Sequence, residues 1–136
     1  MDRVLDEALT PVWRDVERTS GLALSLRDGF SHPELRGQDV RSPDDMPTVV
    51  IEEPDGSATG VYVRFDLPLR ERIAYTAGQV QDVIVEARAA AGLPSNWPRC
   101  PWHPTTHPLE PVVSDPPAWR CPHSKAPAAA IGALPE

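Results

Sequence analysis

Residues 100–123, CPWHPTTHPLEPVVSDPPAWRCPH, decide how this chain is read. Cys100 and His103 stand at C-x2-H spacing. That spacing lets a thiolate and an imidazole reach one ion across a tight turn, and Pro101 stiffens the turn. Cys121 and His123 form a second cluster around Pro122. Between the clusters, residues 109–113 and 118–120 flank Ser114-Asp115-Pro116-Pro117, the turn chemistry that a β-hairpin needs. Two thiol–imidazole corners at the ends of a hairpin predict a metal site. The expected ligands are Cys100, His103, Cys121 and His123. His107 competes for the fourth place. The reason is that Cys121 and His123 have one residue between them, and Ser124, at the more regular position, is a poor ligand.

The donor types select the ion. Zinc takes thiolate and imidazole in tetrahedral geometry, and structural zinc sites use four protein ligands. A structural zinc is therefore expected. A catalytic zinc would need an open position and a nearby base. Glu110 is the carboxylate close to the cluster, no H-E-x-x-H is present, and Pro104 and Pro108 argue against a helix carrying His103 and His107. A Cys100–Cys121 disulfide is the rival reading and requires an oxidising compartment. Trp97, Trp102 and Trp119 are expected to cover the metal turn, supplying apolar area that so short a unit lacks.

Upstream, Val4, Leu5, Ala8, Leu9, Val12, Trp13 and Val16 make one apolar helical face over residues 3–19. Asp6, Glu7, Arg14, Asp15, Glu17 and Arg18 occupy the rest. Pro11 removes one hydrogen bond, so the helix either kinks there or begins with Thr10 as N-cap; the face continues across Pro11, so one kinked helix is expected, with Gly21 as its stop. Leu22, Leu24 and Leu26 alternate with smaller or polar residues and read as a half-buried strand. Residues 28–47 show no periodicity. His32 lies there among carboxylates, including the Asp44-Asp45 pair, and residues 31–35 read as one short turn. Residues 48–52 and 60–66 are β-rich and enclose Glu53-Pro54-Asp55-Gly56, a hairpin signature. After Pro68, the stripe Leu69, Ile73, Ala77, Val80, Ile84, Ala87, Ala91 predicts a long helix closed by Gly92 and Pro94.

This order predicts an α+β fold: a helix–strand–strand–strand–helix antiparallel sheet domain over 1–94, a hairpin module over 95–124, and a flexible Ala/Pro-rich tail over 125–136. With 136 residues and 17 prolines, one domain with a small appendage and long irregular stretches is expected. The net charge of −7 argues against nucleic-acid partners. No apolar run is long enough for a membrane span, and the acidic N-terminus lacks the layout of a signal peptide. A cytoplasmic location is expected.

The pattern C-P-x-H, then H-P-L, then W-x-C-P over residues 97–123 resembles the zinc-ribbon-like modules of small uncharacterised actinobacterial or actinophage proteins. The Arg-rich, Lys-poor composition agrees, because it is typical of coding by GC-rich genomes. The chain departs from the usual two-CxxC ribbon at His103 and at the second cluster. With no P-loop, G-x-G-x-x-G or G-x-S-x-G in the chain, the expected function is a non-enzymatic adaptor or assembly protein that binds another protein. The alternatives are a zinc-dependent hydrolase with an open metal site, or a phage or secretion-machine component. The 69–91 stripe is also a candidate homodimer face.

Overall fold

Helix α1 spans Arg3–Thr19 and runs unbroken through Pro11. Its first turn is capped by Asp2, whose carboxylate accepts from Val4 N at 2.8 Å and Leu5 N at 3.3 Å. Leu5, Ala8, Leu9, Val12 and Val16 are buried, as the periodicity predicts, while Trp13 is partly buried against them. Strand β1 follows at Ser25–Asp28. The computed structural model describes residues 2–28 and 47–136. The readings made above for His32, the 31–35 turn and the Asp44-Asp45 pair lie outside the described residues.

Strands β2 (Thr48–Glu52) and β3 (Ala58–Tyr62) complete an antiparallel sheet of order β1-β2-β3. The Glu53–Gly56 turn closes with Gly56 N donating to Glu53 O at 3.0 Å. Strand β3 begins and ends earlier than expected, but Val63 is fully buried and its N–H donates to Pro47 O, which carries the pairing onward. Val49, Ile51, Val61 and Val63 point into the core.

Helix α2 covers Leu69–Ala90. Ala77, Val80, Ile84 and Ala87 of its stripe are buried within the chain, against α1 and the neighbouring elements, whereas Leu69 is exposed. Four of the seven stripe residues are thus buried within the chain. At the β3 edge, the Gln79 amide accepts from Tyr62 N at 3.2 Å and donates to Tyr62 O at 2.6 Å, occupying the backbone groups that another strand would use.

The C-terminal third adds a second antiparallel sheet, β4 (Glu110–Val112), β5 (Ala118–Arg120) and β6 (Pro127–Ala130), in the order β4-β5-β6. The β4–β5 hairpin falls where the sequence places it. The third strand does not: residues 127–130 were expected in a loose tail and instead pair with β5. Ile131 and Leu134 are buried in the same hydrophobic cluster as α1, α2, Trp97 and Trp119. The buried core includes residues from both sides of residue 94.

Two details explain why the tail docks. Asp15, read from sequence as part of the polar face of α1, is fully buried. Its carboxylate accepts from Trp119 Nε1 at 2.8 Å, Gly132 N at 2.7 Å and Leu134 N at 3.0 Å. Gly132 also lies directly on Pro11. A Cβ there would meet Pro11 Cβ at 2.9 Å, and the backbone has φ +101°, a conformation that side chains disfavour. Gly132→Ala should therefore destabilise the protein by about 2–3 kcal/mol. An unchanged urea midpoint would show that the contact yields freely.

Candidate metal centre

Short backbone pairings build the site. Arg99 bridges Pro108, and Leu109 N donates to Pro98 O at 2.8 Å. The loop between them is closed at its neck, with Cys100 and His107 facing each other just inside. The Gln81 side chain of α2 donates to Trp97 O at 3.2 Å and Leu109 O at 2.5 Å, fixing both strands of that neck to the helix. On the other side, Lys125 N donates to Cys121 O at 2.8 Å, and Cys121 N donates to Ala126 O at 2.9 Å. The chain between curls around the sulfur, and Ser124 N donates to Cys121 Sγ at 3.4 Å. Lys125 takes φ 65° to complete the curl.

The donor atoms of Cys100, His103, His107 and Cys121 all lie within 4.8 Å of one another. His103 Nδ1 is 3.7 Å from Cys100 Sγ and 3.5 Å from Cys121 Sγ, and His107 Nε2 is 3.8 Å from Cys121 Sγ. A tetrahedron with zinc–sulfur and zinc–nitrogen bonds of about 2.3 and 2.05 Å has sulfur–nitrogen edges of about 3.6 Å. The three observed edges bracket that value. Both sulfurs are fully buried and both imidazoles are partly buried.

The donors are also prepared for an ion. The His107 Nδ1 lies 3.0 Å from Pro108 O. A carbonyl only accepts, so Nδ1 carries the proton and the Nε2 lone pair faces the cluster. Burial raises the Cys121 pKa, but hydrogen bonds from the Ser124 hydroxyl, the Ser124 and His123 backbones and the His103 ring outweigh it and lower the value from 9.0 to about 6. The thiolate is the metal-binding form.

His123 is not among the four donors that converge. The curl that aims Ser124 N at the sulfur leaves His123 on the outside, exposed, with its ring edge-on to His103 at 5.6 Å between centroids. His107 takes the place instead. The sequence signal for it is the irregular second cluster, with one residue between Cys121 and His123 and the poor ligand Ser124 at the more regular position. His107→Ala should weaken metal binding at least about tenfold, and His123→Ala should leave it within about twofold. Competition against a chelating dye distinguishes the two, and the reverse ranking would reject the assignment.

Two other expectations change. Trp97 and Trp119 are buried, but Trp102 is 50% exposed. Glu110, the carboxylate considered as a base, is held by Arg120 Nε at 2.8 Å and Lys125 Nζ at 3.7 Å. Cys100 and Cys121 are free thiols. Among the described residues, no helix is long and apolar enough to cross a membrane. Comparisons with protein-family models, curated proteins and solved structures find no match to this chain.

Proposed function

We propose that the chain is a non-enzymatic protein-binding adaptor whose C-terminal sheet is pinned by a structural zinc in a ribbon-like arrangement. The observation that carries this reading is the convergence of two thiols and two imidazoles, with sulfur–nitrogen separations that suit a zinc tetrahedron. Four protein donors fill the coordination shell, which is the mark of a structural site and leaves no position for a reacting water. The engagement of Glu110 by Arg120 and Lys125 supports the same side, since a general base must be free to take a proton.

Exposed aromatics supply contact area for a protein partner. Trp102 stands at the tip of the metal turn. Tyr62 and Tyr75 are exposed near the β3 edge, where Gln79, one helical turn after Tyr75, holds the Tyr62 backbone. Aromatic side chains of this kind anchor protein interfaces.

X-ray absorption at the zinc edge, on protein purified without added chelator, tests the core of this reading. About one zinc per chain with two sulfur and two nitrogen neighbours is expected. A shell containing a light-atom water ligand would favour the hydrolase instead.

A further inference from the structure

Trp97 stands three residues before Cys100, and Trp119 two residues before Cys121. The two buried rings meet edge to face, their centroids 5.7 Å apart. Each indole N–H then reaches the same part of α1. Trp97 Nε1 donates to Thr19 Oγ1 at 2.9 Å, and Trp119 Nε1 donates to Asp15 Oδ2 at 2.8 Å. Asp15 and Thr19 are one helical turn apart, and the Thr19 hydroxyl donates to Asp15 O at 2.7 Å. The last turn of α1 thus receives one donor from each of the two chain segments that the metal centre joins.

We propose that the centre is a metal-responsive clamp on α1. An ion joining Cys100 to Cys121 sets the spacing of Trp97 and Trp119. Through them it decides whether the end of α1 and the 131–134 segment stay docked. The clamp rests on the zinc reading above and adds the route by which occupancy is transmitted. Strands β4, β5 and β6 are only three, three and four residues long, so their ladders hold little by themselves. The β2–β3 hairpin has five-residue strands and supplies none of the four donors. Metal loss should therefore loosen one region and spare another.

The test is amide hydrogen exchange on the full chain, zinc-loaded and after chelation. Exchange over 14–20 and 127–134 should accelerate at least about tenfold on depletion, while 48–52 and 58–62 change by less than about twofold. Thr19→Val removes the acceptor for Trp97 without touching a ligand. It should retain about one zinc and show a smaller depletion effect over 14–20. Bound zinc with unchanged exchange, uniform acceleration everywhere, or an undiminished effect in Thr19→Val would each overturn the clamp while leaving the metal centre standing. A purified chain that binds no zinc would remove the centre and the clamp together.

Discussion

Cys121→Ser is expected to abolish zinc binding and unfold the C-terminal third. A hydroxyl is a poor zinc ligand, and Cys121, just after β5, is the one donor of the four that lies outside the 100–107 loop. The other three, Cys100, His103 and His107, sit on a single loop, so losing Cys121 detaches the ion from β5. Structural zinc contributes roughly 10–16 kcal/mol of apparent binding energy to small zinc-finger peptides. The share realised here is smaller, because α1, α2 and β1–β3 contribute most of the buried core residues. A fall of more than about 10 °C in the melting temperature is expected. The decisive comparison is with chelation. A chelator should lower the melting temperature of the wild-type chain and leave Cys121→Ser unmoved. Equal sensitivity in both would show that the ion, if bound, is held elsewhere.

Asp15→Ala should cost about 3–5 kcal/mol, although the residue lies outside the metal centre. The carboxylate is fully buried and accepts three hydrogen bonds, from the Trp119 indole and the Gly132 and Leu134 amides. Alanine leaves all three donors buried and unpaired, each at about 1–3 kcal/mol before relaxation. Asp15→Asn separates the causes. Its carbonyl can replace Oδ2 and keep Trp119 and Gly132, but its NH2 would face the Leu134 N–H, donor against donor. An intermediate loss is expected, about half that of alanine. Urea unfolding followed by tryptophan fluorescence gives both values. A cost below about 1 kcal/mol for Asp15→Ala would mean that the tail is held by Ile131 and Leu134 alone.

The elements that follow a simple period were legible in the sequence. The α1 and α2 faces repeat at helical spacing, the 48–62 hairpin carries its Pro-Asp-Gly turn, and residues 109–120 carry a second hairpin. Each depends on near neighbours in the chain. Strand β6 was not legible, because Pro127-Ala128-Ala129-Ala130 has neither alternation nor β-branched residues. It is a strand because β5 offers an edge and Asp15 captures the residues that follow.

In the centre, Cys100, His103 and Cys121 could be chosen by residue type and spacing, and the sequence alone determined that thiols and imidazoles would be available to a metal. Which histidine is fourth depended on two events far apart in the chain. The Arg99–Pro108 bridge brings His107 inward, and the curl at 121–126 turns His123 out. Asp15 is the plainest case of a role decided only in three dimensions. On the helix it looks like one more solvated acid. It becomes a buried anchor because a glycine amide, a leucine amide and an indole, all more than 100 residues later, bring it the hydrogen bonds that a buried carboxylate requires.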